Sequence, residues 1–254
     1  MFTVADRERI RSELLAFART DPHLTGGALT GSAAAGAEDQ WSDIDLAFGV
    51  AETAEIPQVL SNWTSRLYQH YEALHHFDVH AGAWTYRVFL LANTLQVDLA
   101  FAPAGEFGAR APTFRLIFGR AAERPHVIPP SAESLIGYTW LYAIHARSSI
   151  ARGRPWQAEY MVSAMRDHVL ALACLRLGAP VREGRGMDLL AKEVTQPLEE
   201  ALVRRIDRSE ISRALGVVSE RLLVEMRMID EGLASRLEPA IRVLSSHVIG
   251  NTPD

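Results

Sequence analysis

The chain has 254 residues, a length typical of one large or two modest domains. Apolar residues make up 48% and charged residues 22%, which predicts a globular protein with a hydrophobic core. The net charge of −5 argues against a general nucleic-acid binder, which usually carries a basic excess.

The numbers of cysteines and lysines exclude further kinds of site. One cysteine, Cys174, excludes an internal disulfide and a cysteine-based zinc cluster. The one lysine, Lys192, is far from the glycine-rich stretch 26–36, which argues against a P-loop there. The N-terminus is charged and no run approaches the roughly 18 apolar residues of a membrane span, so we expect a cytoplasmic protein without membrane association.

The first half of the chain predicts a mixture of helices and strands. In chain order the predicted elements are a helix over 6–20, a strand over 44–48, a helix over 56–74, and strands over 77–80, 86–91 and 95–101. Stretch 26–36 is too rich in glycine and alanine to predict a strand. The residues at 92–94 suit a tight hairpin because Asn93 tolerates left-handed backbone angles.

The second half predicts helices only. Prolines at 125, 129 and 130 mark the boundary between a domain over 1–128 and a helical domain over 129–254. The predicted helices cover 132–150, 155–177, 196–206, 209–231 and 237–248, and the tail 250–254 is expected to fray. The expected fold class is therefore an α+β domain with a mixed sheet, followed by an all-helical bundle.

Three carboxylates are the candidate chemical centre. Strand alternation puts Asp43 and Asp45 on one face, and Asp98 lies on the polar face of another strand. Converging carboxylates repel one another, so a divalent cation is the natural compensation, and hard oxygen ligands suit Mg²⁺ or Mn²⁺. A pair of such ions would clamp the attacking and leaving oxygens of an in-line displacement.

A second element precedes the acids. At Gly31 the backbone N–H groups can approach a phosphate closely, and Ser32 adds a hydroxyl donor. If Ser32 begins a short helix through residues 33–35, the N-terminus of that helix adds partial positive charge. The pair therefore predicts phosphate binding.

Together these motifs resemble the nucleotidyltransferase signature of the polymerase-β superfamily. The matching residues are Gly31-Ser32, followed by Ser42-Asp43-Ile44-Asp45 with Ser32 and Asp43 eleven positions apart, and Asp98 late in a β-hairpin. A catalytic domain followed by a helical one resembles the lincosamide and aminoglycoside nucleotidyltransferases. The match covers about 31–101, and Ala35 stands where many relatives carry an arginine.

The resemblance implies transfer of a nucleoside monophosphate from an NTP, expected to be ATP, to a hydroxyl of a small molecule, with pyrophosphate leaving. Asp43, Asp45 and Asp98 would hold two Mg²⁺ ions, and Glu159 from the helical domain would be the general base. Gly31, Ser32, Ser42 and Arg166 would bind the nucleotide. Aminoglycosides and lincosamides are candidate acceptors, the sequence itself leaves the acceptor open, and sites shared between subunits in such enzymes suggest a homodimer.

Simpler interpretations stand beside these roles. Glu159 fits a solvated helix position as well as a base, and Arg166 fits an ion pair with Asp167 slightly better than a phosphate contact. The strand face with His76, Asp78 and His80 could chelate zinc, but a polar strand face is favoured. Cys174 is expected to be a buried apolar residue.

Other functions remain open from the sequence. The acceptor could be a protein or an RNA, as in antitoxin-like nucleotidyltransferases, although the helical half and the net charge weigh against this. The chain could be a catalytically silent nucleotide-binding relative, as Ala35 hints. A glycosyltransferase that binds metal through Asp-x-Asp is the weakest alternative.

Overall fold

Alternating apolar side chains build a mixed sheet in the first half of the chain. The structure is a computed structural model that describes residues 1–246, and it divides into two compact units, Met1–Val127 and Ile128–Asp254. In the first unit the elements are α1 (Val4–Thr20), β1 (Leu24–Thr30), α2 (Gly31–Ala35), β2 (Ile44–Val50), α3 (Ile56–His70), β3 (Ala73–Ala81), β4 (Trp84–Leu91), β5 (Gln96–Pro103) and β6 (Phe114–Gly119).

The six strands form one sheet in the order β3-β4-β5-β2-β1-β6. The central pair, β2 and β5, is parallel, and the other neighbours are antiparallel. One face of the sheet carries the larger core of this unit, in which α1 and α3 contribute the fully buried Leu14, Trp63 and Leu67. The opposite face therefore carries the polar residues of β2 and β5.

Two strands were not predicted. Stretch 26–36 begins inside β1, where glycines serve close packing rather than flexibility. A Cβ on Gly26 would lie 2.8 Å from the Phe107 ring, and one on Gly27 would overlap the Phe118 ring. β1 pairs with both β2 and the unpredicted β6, so neighbouring strands decided its conformation.

Two smaller differences also concern this unit. Helix α3 ends at His70 rather than at residue 74, because Glu72 adopts a left-handed conformation (φ 53°) that turns the chain into β3. The hairpin between β4 and β5 is confirmed, but its left-handed residue is Thr94 (φ 71°) and not Asn93. The Asn93 side chain instead accepts a hydrogen bond from the backbone of Leu95.

Helices and the loops between them make up the described residues of the second unit, with no strand among them. Its main helices are α4 (Ala132–Ala151), α5 (Pro155–Leu177), α6 (Lys192–Glu199), α7 (Arg208–Ile229) and α8 (Glu231–Ser245). The fold class is thus confirmed, an α+β unit with a mixed sheet followed by a helical bundle. The predicted tail 250–254 lies outside the described residues.

Packing inside this unit explains where two helices differ from the sequence prediction. Helix α6 covers 192–199 instead of 196–206, and the side chain of its residue Leu198 is buried in the bundle. Helix α8 begins six residues earlier than predicted, since the Asp230 side chain caps it by accepting from the Leu233 N–H. An ion pair of Arg176 with Glu225 (2.9 Å) joins α5 to α7.

No helix among residues 1–246 is long and apolar enough to cross a membrane.

Candidate functional site

The three carboxylates meet at one place on the sheet. Asp45 and Asp98 are direct partners in the parallel pairing of β2 with β5, and Asp43 lies just before β2. One oxygen from each of Asp43, Asp45 and Asp98 lies within 4.8 Å of the others, and all three residues are half-buried. This oxygen-only donor set fits a hard divalent cation such as Mg²⁺ or Mn²⁺. We call these three residues the acidic triad.

Gly31 lies directly against the acidic triad. Its backbone is left-handed (φ 57°), and a Cβ there would overlap Oδ2 of Asp45 and lie 2.8 Å from Cγ. The short helix α2 begins at Gly31, one residue before the predicted start at Ser32, and covers residues 33–35 as predicted, with the half-buried Ser32 in its first turn. A side chain here would thus strain the left-handed backbone and displace the Asp45 carboxylate.

We expect Gly31→Ala to displace the Asp45 carboxylate and to lower the affinity for Mn²⁺ at least about tenfold. Gly36→Ala is the matched control, because Gly36 is also left-handed (φ 66°) but has no atom within 4 Å of an added Cβ. Each variant should lose about 1 kcal/mol of stability from the left-handed backbone. Isothermal titration with Mn²⁺ separates them, and equal affinities in the two variants would contradict the argument.

The pKa of Asp98 is raised to about 6, mainly by burial. A hydrogen bond from Gln96 lowers this pKa, and the negative charge of Asp43 raises it. The Gln96 carboxamide donates to Asp98 Oδ1 (3.0 Å) and to Asp43 Oδ2 (3.4 Å). Gln96 therefore links two of the acids, a role that the sequence analysis missed. Its position on the same strand face as Asp98, two residues earlier, was the available signal.

We expect Asp98→Asn to stabilise the metal-free protein at pH 7. The folded-state pKa lies above the ordinary value of 3.8, so ionisation of Asp98 costs stability, and this cost grows as the pH rises from about 4 to 6. After allowance for partial solvent exposure, the gain is on the order of 1 kcal/mol at pH 7 and vanishes below pH 4. Thermal melts of both proteins in a chelator across this range test it, and a gain that persists at pH 3.5 would contradict it.

The loop between α2 and β2 is held by a buried arginine of α1. Arg7 is 2% exposed, donates to the backbone carbonyls of Asp39 and Ser42 (3.1 Å to Ser42), and pairs with Glu38 (3.2 Å). Arg11 also pairs with Glu38, at 2.5 Å. Since this loop leads into Asp43, Arg7 positions the first acid, and sequence reasoning did not identify it.

Ser42 takes part in the same loop. Its hydroxyl donates to Asp39 Oδ1 (3.1 Å) and accepts from the Asp39 N–H (2.9 Å). Hydrogen bonds from the Trp41 backbone and from Ser42 lower the pKa of Asp39. The Ser42 hydroxyl is thus engaged in shaping the loop, and its predicted contact with a nucleotide stays a prediction.

Arg115 is a second cation that the sequence analysis missed. It lies on β6 and donates to the carbonyl of Ala33 in α2 (3.2 Å). Ala35, at the end of α2, lacks the side chain that many relatives of the resembled superfamily place there. Because β6 was not predicted, no pattern in the sequence indicated that Arg115 lies beside α2.

Glu159 and Arg166 lie on α5 in the second unit. Glu159 is half-buried, and its Oε1 accepts from the Ser163 hydroxyl at 2.5 Å. The Arg166 side chain is one-fifth exposed, pairs with Asp167 at 3.0 Å and donates to Ser163 Oγ at 3.4 Å. The ion pair considered from the sequence is therefore present. The roles of Glu159 as base and of Arg166 as phosphate ligand remain predictions.

His76 and His80 of β3 each have another partner. His76 shares a hydrogen bond with the Tyr68 hydroxyl (3.0 Å), and His80 with the Thr85 hydroxyl (3.2 Å). Asp78 accepts two hydrogen bonds from Arg87, both 2.7 Å, which lower its pKa. Among residues 1–246 the acidic triad is the one cluster arranged to hold a metal. Cys174 is 1% exposed and has no cysteine partner, as expected.

Comparisons with known proteins give distant structural matches. No family model and no curated protein sequence matches the chain. An aminoglycoside 6-adenyltransferase from Bacillus subtilis matches over 92% of this chain and 96% of its own, at 11% identity and a TM-score of 0.41. A nucleotidyltransferase-like protein from Exiguobacterium sibiricum matches over 92% of this chain and 80% of its own, at 16% identity and a TM-score of 0.35.

Proposed function

We propose that the protein is a metal-dependent nucleotidyltransferase, which transfers the nucleoside monophosphate of an NTP to a hydroxyl of a small molecule and releases pyrophosphate. The observation that supports this most is the acidic triad, with two carboxylates on adjacent parallel strands, the third just before one of these strands, and Gly31 against one of the acids. ATP is the expected nucleotide. Aminoglycosides and lincosamides are the first acceptors to test.

The energetics of the acidic triad favour a bound cation. Burial and the neighbouring Asp43 raise the pKa of Asp98 to about 6, so ionising all three acids together is costly without a compensating positive charge. Mg²⁺ bound here would supply charge neutralisation and lower the pKa of the acceptor hydroxyl. Asp43, Asp45 and Asp98 are the residues proposed to hold it.

The chain's own groups would position the triphosphate and the acceptor. Ser32 offers a hydroxyl beside Gly31, and Arg115 offers a guanidinium next to α2 that could replace the missing cation at position 35. Arg7 and Gln96 would keep Asp43 and Asp98 in place. Glu159 is proposed to take the proton from the acceptor hydroxyl.

Pyrophosphate release tests this function. The purified protein is incubated with Mg²⁺ and each NTP in turn, together with a panel of aminoglycosides, lincosamides and related hydroxyl compounds. Release with one NTP and one acceptor class, abolished by a chelator, is the expected result. Absence of release over the whole panel, with no binding of any NTP, would overturn the proposal.

A silent panel with intact NTP binding would have a different meaning. It would favour a protein or RNA acceptor or a catalytically silent relative, and the small-molecule acceptor would then be rejected. Mass spectrometry of the protein and of added RNA, after incubation with labelled NTP, distinguishes these two alternatives.

A further inference from the structure

A cavity of about 160 Å³ opens on the face of the sheet that carries the acidic triad. Its floor includes Ala47 and Ala100, each two residues beyond a triad acid on the same strand, and therefore on the same face. Two residues along a strand cover about 6–7 Å. A molecule whose reacting group lies at the acidic triad could thus extend a further group into this cavity.

The walls of the cavity are aromatic. They include Trp84 and Tyr86 of β4, whose rings stack at 5.9 Å with an interplanar angle of 23°, and Phe114 of β6. An apolar cavity of about 150 Å³ is known to hold a benzene ring, so the space suits a small planar aromatic group. We call this cavity the ring pocket.

Trp84, which lines the ring pocket, carries an unused hydrogen-bond donor. It is 3% exposed, and its indole Nε1–H finds no acceptor among the described residues. Trp63, the other buried tryptophan of this unit, donates to Asp21 at 3.0 Å. Buried polar groups in proteins are nearly always partnered, so the Trp84 donor favours a bound acceptor. The N–H is covered by neighbouring atoms, so the indole must turn to meet that acceptor.

The charge at the ring pocket restricts which ligand groups can bind there. Arg110 lines the cavity; burial raises the pKa of Tyr86 there, and the positive charge of Arg110 partly opposes this. A guanidinium repels a cationic group and stacks readily on an electron-rich ring. Thr30, also in the lining, directly precedes Gly31 and connects the ring pocket to the acidic triad.

We propose that the ring pocket binds a planar, uncharged ring that carries a hydrogen-bond acceptor, as part of the molecule that reacts at the acidic triad. The ring could come from the base of the NTP or from an aromatic acceptor substrate, since both present the same chemistry. The proposal rests on the proposed function only for the identity of that molecule. Binding of the ring needs neither metal nor turnover.

The test follows the indole N–H resonances of the ¹⁵N-labelled full-length protein in two-dimensional NMR without metal. Trp84→Phe assigns the Trp84 resonance by its loss. Adenosine, guanosine, cytidine and uridine are titrated in one arm, and 4-hydroxybenzamide in the other. We expect a saturable shift of the Trp84 resonance in at least one arm. A shift with a nucleoside assigns the ring to the NTP, and a shift with 4-hydroxybenzamide alone assigns it to the acceptor.

Variants check that the recognised chemistry is the one proposed. Trp84→Phe keeps an aromatic wall but removes the donor, and should weaken binding of the same probe about tenfold by calorimetry. Arg110→Gln should weaken it severalfold, while Trp41→Phe, at an exposed tryptophan of the same unit, should leave it unchanged. Unshifted Trp84 in both arms, or equal affinity in Trp84→Phe and Trp41→Phe, would overturn the proposal.

Discussion

Asp43→Asn is expected to abolish nucleotidyl transfer while the protein stays folded. The substitution keeps the shape of the side chain but removes one of three carboxylate charges within 4.8 Å of one another. A cation held by the remaining acids would be bound more weakly and would neutralise less charge at the phosphate. We expect kcat to fall by more than about 10³-fold, equivalent to over 4 kcal/mol of transition-state stabilisation.

Folding is measured alongside activity, since loss of a repelling charge should leave the melting temperature unchanged or slightly raised. Glu52→Gln is the matched control, because Glu52 is an exposed acid of the same unit outside the acidic triad. It should retain full activity. If Asp43→Asn transferred nucleotide at the wild-type rate with Mg²⁺, the acidic triad would not be the catalytic centre.

Glu159→Gln is expected to lower kcat by about 10²–10⁴-fold, with little change in KM for the nucleotide. The glutamine keeps the length of the side chain and can still accept from the Ser163 hydroxyl, which now bonds Glu159 at 2.5 Å. What it loses is the capacity to take a proton. Because the defect concerns proton removal, it should become smaller as the pH rises.

Two further variants make this test specific. Ser163→Ala removes the hydrogen bond to Glu159 and should lower kcat less than Glu159→Gln does. Glu199→Gln, an exposed glutamate of α6, should behave as wild type. Near-normal turnover of Glu159→Gln would mean that Asp98 or solvent accepts the proton. Glu159 would then be a helix residue paired with Ser163.

Local patterns in the sequence were sufficient for the elements that carry their own signal. Period-2 alternation predicted β2 and β5, and Pro155 at a helix start predicted α5 with the bounds that the structure has. The same alternation put Asp43 and Asp45 on one face. Since these signals depend on side chains close in the chain, they can be recognised without knowing the fold.

Elements held by distant partners could not be recognised in this way. β1 is a strand because β2 and β6 flank it, and its glycines are needed where Phe107 and Phe118 approach the backbone. α8 begins after the Asp230 cap, and α6 covers the residues around Leu198, which packs in the bundle. Propensity is a weak guide wherever tertiary contacts decide the conformation.

The sequence by itself determined the three acids, the Gly31-Ser32 pair, the fold class and the resemblance that together suggest nucleotidyl transfer. Only the tertiary structure decided that β2 and β5 run parallel with Asp45 opposite Asp98, and that Arg7, Gln96 and Arg115 surround the site. The physical reason is the range of the interactions. A strand's alternation is local, whereas the meeting of residues 53 to 82 positions apart depends on how the whole sheet is assembled.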